Sequence, residues 1–286
     1  MRNFNRGRLL VSCPDRPGIV SAISAFLFER GANITHSDQH STDPDGGQFF
    51  LRVEFDLPDL RSAVSQLRLD FAVIADRYRM TWRITLAAER QRIAVFASRE
   101  DHALLELLWQ QRAGDLDAEI CMVIANHEAI GDVVAPWHVP FHYTPVTPGN
   151  RDAAEQAQLD LVWQQADLLV LARYMQILSP GFLRQWENRI INIHHSFLPA
   201  FVGARPYGQA ARRGVKLIGA TAHYVTSELD AGPIIEQDVL RVDHRHDEQD
   251  LRRMGRQIER AVLARAVKWH VEDRILVHGN KTVVFD

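Results

Sequence analysis

Three polar residues stand where carbonyl chemistry can be done: Asn192 and His194, two positions apart in Ile190-Ile191-Asn192-Ile193-His194, and Asp230 in Asp230-Ala231-Gly232-Pro233. The branched apolar residues of the first run are those of a buried strand. Side chains alternate across a strand, so Asn192 and His194 share one face while Ile191 and Ile193 share the other. A polar pair at the end of an apolar strand, just before Ser196-Phe197-Leu198-Pro199, lies where an open α/β sheet keeps its ligand. If Asp230 approaches the pair, an amide, an imidazole and a carboxylate face one small volume. Asn192 and the imidazole, protonated or neutral, can then stabilise a developing oxyanion, and Asp230 can orient water and move its proton. Singly, each residue has a plainer explanation: a backbone partner for Asn192, a structural histidine for His194, a turn for Asp230. Only the three together outweigh those explanations. Ser196 lacks a nucleophile elbow and neither cysteine is nearby, so direct attack by a bound acceptor is favoured over a covalent intermediate. His194, His195 and His223 offer imidazoles for zinc, but adjacent strand residues point apart and no zinc spacing is present, so no metal is expected.

The elements that must hold these groups fall into two sets. A strand at 9–12, a helix at 19–30 stopped by Gly31-Ala32-Asn33, strands at 34–40 and 48–55 around the hairpin loop 43–47, a helix from Pro58 toward Phe71 and a strand at 78–86 give β-α-β-β-α-β. That is a ferredoxin-like arrangement. After a polar connection at 87–91 the rhythm changes. Short apolar strands at 93–97, 120–124, 141–143, 168–172 and 190–194 alternate with helices at 102–112, 130–137, 151–165 and from Pro180. Such alternation argues for a mostly parallel sheet of Rossmann-like α/β type. A long helix near 247–271 carries Arg252, Arg253, Arg256, Arg260 and Arg265 among acids, the pattern of a solvated face, and a hairpin at 275–277 and 282–285 closes the chain.

The 286 residues suit two domains, 46% hydrophobic and 24% charged content is that of a globular protein, and a formal charge of -3 gives no general attraction to nucleic acid. Cys13 and Cys121 lie far apart in apolar runs, as reduced thiols do. Met1 to Arg6 lacks the apolar core of a signal peptide and no run approaches spanning length, so a cytoplasmic protein without membrane contact is expected.

The stretches 9–20 (L-L-V-S-C-P-D-R-P-G-I-V) and 31–40 (G-A-N-I-T-H-S-D-Q-H) resemble an ACT domain, a family that commonly binds a small amino acid where the loop before the first helix faces a partner subunit. The resemblance implies effector contacts at Asp15, Gly18 and Asn33, methionine or glycine as the effectors to try first, and a homo-oligomer. Physically, Asp15 and the amides at the helix N-terminus could hold an ammonium and a carboxylate; the plainer alternative is a turn and a cap.

Asn192 to Pro199, Gly219 to Val225 and Asp230 to Ile235 are similar to the folate-dependent formyltransferase fold, in which an Asn, a His and an Asp handle the formyl group of 10-formyltetrahydrofolate. They correspond to Asn192, His194 and Asp230. Leu171 to Leu178 is similar to the segment lining the pterin pocket. The implied folate contacts are Met175, Gln176, Ile177 and Leu178, together with Glu228, although Gln176 stands where relatives often carry Arg.

An ACT regulatory domain at 1–86, a linker at 87–91 and a formyltransferase-like catalytic domain at 92–286 resemble the formyltetrahydrofolate deformylase family. The implied reaction is hydrolysis of 10-formyltetrahydrofolate to formate and tetrahydrofolate, supplying formate to one-carbon and purine metabolism with no cofactor beyond the folate substrate. Glycinamide-ribonucleotide formyltransferases carry a glycine-rich phosphate cradle after the first strand of this domain. Here the loop reads Ser98-Arg99-Glu100-Asp101-His102, without glycine and with two acids, which favours water as acceptor. Formylation of methionyl-tRNA is disfavoured by the charge and by the absence of a further RNA-binding domain after the hairpin. The alternatives are formyl transfer to a small amine and a folate- or amino-acid-binding regulator without turnover.

Overall fold

The computed structural model describes residues 4–43, 45–200 and 206–285. The N-terminal residues 1–3, Pro44 of the 43–47 loop and Phe201, the residue after the Ser196–Ala200 loop, lie outside the described residues. Contacts divide the chain into two units: one runs up to Arg90 and takes in Glu272–His278 and the end from Val283, and the other comprises Gln91–Val271 and Gly279–Thr282.

The first unit contains β1 (Arg6–Pro14), α1 (Ile19–Glu29), β2 (Asn33–Ser41), β3 (Gln48–Asp56), α2 (Leu60–Tyr78) and β4 (Thr81–Leu86). Its antiparallel sheet has the order β2-β3-β1-β4, the ferredoxin-like arrangement expected. Alternate strand residues Leu9, Val11, Cys13, Leu51 and Val53 form one core with Ile23, Leu27, Leu67 and Phe71 from the two helices. α2 runs seven residues past the expected Phe71, and Tyr78 is its last residue rather than the start of a strand. The reason is visible in its buried face, where Leu67, Phe71, Ala75 and Tyr78 continue one helical stripe until Arg79 turns left-handed at φ 55.

The opposite face of this sheet is also buried, at Leu10, Phe50 and Arg52. Arg52 donates from Nε to the Asp273 carbonyl at 2.8 Å and from Nη2 to the Glu272 carbonyl at 3.0 Å. The Asp273 carboxylate in turn accepts from Arg83 Nε at 3.1 Å and Thr85 Oγ1 at 2.7 Å. These bonds explain why Glu272–His278 go with the first unit, whereas the sequence boundary leaves everything from 92 onward in the second. Arg52 also pairs with Glu54, which burial pushes up but whose bonds to Arg52 more than reverse this, leaving its pKa below the ordinary 4.5. Arg52→Ala should therefore lower unfolding free energy by about 2 kcal/mol, measured by urea denaturation, because it takes the donor from two carbonyls and leaves the half-buried Glu54 with Arg8 alone at 3.6 Å. A carboxyl depressed in the folded state stabilises fully above its unfolded value. That contribution should be present above pH 4.5 and lost as pH falls through the lower folded value.

The second unit contains β5 (Gln91–Ala97), α3 (His102–Ala113), β6 (Ala118–Ala125), α4 (Ile130–Val134), β7 (Phe141–Tyr143), α5 (Arg151–Val162), β8 (Leu168–Ala172), α6 (Pro180–Gln185), β9 (Ile190–His194), α7 (Pro206–Arg213), β10 (Leu217–Tyr224), β11 (Ile234–Arg241) and α8 (Glu248–Val271). The sheet order is β11-β10-β9-β8-β5-β6-β7. Strands β9, β8, β5, β6 and β7 are parallel, and β10 and β11 add antiparallel neighbours. Every residue of β8, Leu-Leu-Val-Leu-Ala, is buried, the continuous apolar run required of a strand covered on both faces. The expected helix at 130–137 breaks after Val134 into a short 3-10 turn, since Pro136 supplies no amide hydrogen. α5 stops at Val162, and α7 was too short to leave a periodic signal in the sequence. α6 starts as its Pro180 implies, with Ser179 Oγ accepting from the Phe182 amide at 3.2 Å. The chain closes with the hairpin strands β12 (Ile275–His278) and β13 (Lys281–Val284). Among the described residues, no helix is long and apolar enough to cross a membrane.

Candidate functional site

The switch in strand order falls between β5 and β8, and the loops leaving β8 and β9 open on the carboxyl side of the parallel strands, where such sheets bind ligands. There a cavity of about 310 Å³ is lined by Asn192, His194 and Asp230 together with Tyr174, Met175, Gln176, Ile177 and Leu178. The three polar residues proposed from sequence are thus on one wall. His194 Nδ1 lies 3.3 Å from Asp230 Oδ1. That contact, the largest influence on the carboxyl, holds Asp230 below the usual carboxylate range against the opposing effect of burial. With Nδ1 facing Asp230, the other ring nitrogen of His194, Nε2, is buried and has no partner among the described residues. It is the nitrogen available to a ligand.

His223 completes the wall and was considered in the sequence only as a zinc candidate. β10 pairs antiparallel with β9 so that His223 stands opposite Asn192 and Thr221 opposite His194. Directly opposed residues share a face, so alternation along β10 was the signal that could have found it. Burial pushes the His223 pKa down, its Nδ1 donates to the Tyr224 carbonyl at 3.0 Å, and its Nε2 therefore accepts from Asn192 Nδ2 at 3.2 Å. The Asn192 amide is oriented by this bond, with its second N–H available to a ligand. The His194 and His195 rings lie 5.3 Å apart at an interplanar angle of 40°, and His195 packs beside Tyr207. Burial, reinforced by the Arg173 charge, pushes His195 down to about 3 and keeps it neutral.

The folate contacts expected at 175–178 all line the cavity, where Met175 and Ile177 are 62% and 59% exposed and present apolar surface. The loop leaves β8 with Arg173 and Met175 both at φ 61, a left-handed conformation costly for residues with a side chain. Tyr174 is buried between them, its ring edge-on to Phe96 at 5.3 Å and its hydroxyl accepting from Gln158 at 2.7 Å. Glu228 is not brought into the lining. Its side chain is exposed, while its carbonyl accepts from Thr226 Oγ1 at 3.1 Å and so fixes the loop before Asp230.

Asp230 is itself left-handed, at φ 55, a conformation Asp adopts more readily than most residues. The next turn is pressed against β10: a Cβ on Gly232 would sit 1.9 Å from the Tyr224 carbonyl oxygen. Gly232→Ala must shift backbone, with an expected loss of about 2 kcal/mol of stability and about tenfold in turnover as Asp230 moves from His194. Thermal denaturation and initial rates measured together test this; wild-type values of both would refute the close approach.

In the first unit the structure brings together only part of the expected effector set. Gly18, at φ 93, caps α1, and Asp15 accepts from the Ser41 hydroxyl at the end of β2. Asn33 begins β2 whereas Ser41 ends it, so eight rises of about 3.3 Å, roughly 26 Å in all, separate Asn33 from the Asp15 end of the strand. A single chain cannot place Asn33 and Asp15 around one small amino acid.

The chain matches the ACT domain family over residues 7–68 and the formyl transferase family over residues 91–267. A formyltetrahydrofolate deformylase of Bacillus subtilis is 59% identical over 285 residues, covering 99% of this chain and 95% of the relative. The crystal structure of a formyltetrahydrofolate deformylase from Pseudomonas syringae is 49% identical and superposes with a TM-score of 0.94 over 98% of this chain and 94% of that one. A glycinamide ribonucleotide transformylase from Symbiobacterium toebii, 31% identical with a TM-score of 0.65, covers only 69% of this chain but 95% of its own length. Long, high-identity matches that span both units, together with the formyl transferase match over most of the chain, show that the chain belongs to the formyltetrahydrofolate deformylase family.

Proposed function

We propose that the chain hydrolyses 10-formyltetrahydrofolate to formate and tetrahydrofolate, with Asn192, His194 and Asp230 as its catalytic residues. The observation that carries this is His194 Nε2, without a partner among the described residues, in a cavity that Asn192 also lines, while Nδ1 faces an ionised Asp230. The pterin ring rests on the apolar surface of Met175, Ile177 and Leu178, with Gln176 at the opening, and the formyl group reaches the polar wall. A water held by Asp230 attacks the formyl carbon and gives up one proton to the Asp230 carboxylate as the C–O bond forms. The oxyanion is held by the free N–H of Asn192 and by His194 Nε2–H, the imidazolium being paired with Asp230. Collapse breaks the C–N bond, the nitrogen takes the proton that Asp230 holds, and the second proton of the water passes to solution as formate leaves, which restores the carboxylate. Water and the folate are the only reactants this scheme requires.

Water is favoured over a phosphate-bearing amine by the loop after β5, whose Glu100 and His102 border a neighbouring cavity and put a carboxylate where a phosphate would enter. The ACT domain takes an amino-acid effector near Asp15 and Gly18, methionine and glycine being the first to test. Asn33 joins them only from a second copy, in a homo-oligomer. The deciding experiment incubates purified protein with 10-formyltetrahydrofolate and no acceptor and follows formate. Folded protein that releases none would end this reading.

A further inference from the structure

A second cavity, of about 190 Å³, adjoins the first; Arg173, Met175 and His195 line both. Its other charged lining comes from Glu100, Arg252, Arg256 and Glu259. Glu259, 1% exposed, accepts from His102 Nε2 at 2.8 Å and from the Tyr207 hydroxyl at 2.6 Å, and it faces Arg173 Nε at 3.4 Å. Burial alone would raise its pKa, yet these partners hold it at about 2, so it is an anion whose acceptor capacity is already engaged. Arg173 is in the opposite position. Its side chain is 12% exposed, only Nε faces Glu259, and Nη1 is buried with no partner among the described residues. The strained φ of 61 at this residue sets the guanidinium between the two cavities.

We propose that this second cavity receives formate, the one-carbon carboxylate product, on the guanidinium of Arg173; the proposal rests on the deformylase reading. A planar guanidinium with unused donors is suited to a carboxylate. Arg252 is engaged by Glu248 at 2.7 Å, so the donors open to a small anion are the unused ones of Arg173, with Arg256 on the same lining. Glu100 at the loop after β5 works against a doubly charged phosphate more than against formate. Tetrahydrofolate continues to fill the apolar cavity after the C–N bond breaks, so an adjoining anion pocket removes formate from His194 without requiring the folate to leave first.

The test titrates 13C-formate into the full chain and follows its line width by NMR, with acetate and chloride as competitors. The measurement is made on the natural sequence and on Arg173→Gln, Arg173→Lys and Arg256→Gln. Formate should broaden with the natural chain. Affinity should fall at least tenfold in Arg173→Gln, less in Arg173→Lys, and severalfold in Arg256→Gln. The inhibition constant of formate in the deformylation assay should rise by the same factors while that of tetrahydrofolate stays within twofold. If Arg173→Gln fails to fold by circular dichroism, the other two variants carry the comparison. Absence of formate binding to the natural chain, or equal binding in all folded variants, overturns the pocket. Deformylation that persists beside that result leaves the catalytic reading intact, whereas Arg173-dependent formate binding without any deformylation sinks the catalytic reading and retains a carboxylate site.

Discussion

Asp230→Asn is expected to lower kcat for formate release by about a thousandfold while the Kd for tetrahydrofolate, measured by calorimetry, changes by less than about threefold. The substitution is nearly isosteric, and Asn tolerates the left-handed φ of 55 at this turn, so the loop held by Gly232 and Tyr224 should keep its place. What disappears is charge. An amide can still accept from His194 Nδ1 across the 3.3 Å gap, but it cannot take a proton from water or stabilise an imidazolium. Two functions fail together, which is why the loss exceeds that of one hydrogen bond. Because His194 already holds Asp230 below the usual carboxylate range, loss of its ionisation should limit kcat/KM only in more acidic solution than for an ordinary aspartate. Turnover within tenfold of the natural chain would remove Asp230 from the proposed chemistry.

The parts of this site that were legible in the sequence are those governed by local periodicity. Alternation along Ile190 to His194 puts Asn192 and His194 on one face, and β9 has those bounds. The composition around Asp230 gave a turn between strands, and the antiparallel β10–β11 pair supplies it. His223 was equally readable by alternation, but its relevance depends on which strand lies opposite, a long-range pairing with Asn192 across 31 positions. Arg173 carried no local signal at all: its importance comes from a left-handed backbone and from two cavities that meet at its side chain. The same limit explains Asn33, since a helix stop marks where β2 begins but not which end of the strand meets Asp15. It also explains the closing segment, where Arg52 reaches Asp273 across 221 positions.

The second large effect concerns the oxyanion. Asn192→Ala and His194→Ala should each lower kcat by about a hundred- to a thousandfold, with tetrahydrofolate binding retained, because each removes one donor worth roughly 3 kcal/mol of barrier. The double substitution should cost much less than the product of the two. Both donors serve the same developing charge, and once one is lost the remaining geometry is no longer that of a two-donor site. The two single variants should nevertheless differ. Removing Asn192 leaves His223 Nε2 facing the cavity without its 3.2 Å donor, so a water can enter there and restore part of the stabilisation. Removing His194 also strips Asp230 of the partner that lowers its pKa, so only that variant should move the acid limb of kcat/KM toward the ordinary carboxylate value. Strict multiplicativity in the double variant would mean that the two residues act at different steps, and an unmoved acid limb in His194→Ala would mean that Asp230 is not the group titrating there. Either result would separate the amide from the imidazole–carboxylate pair and assign the oxyanion to one of them alone.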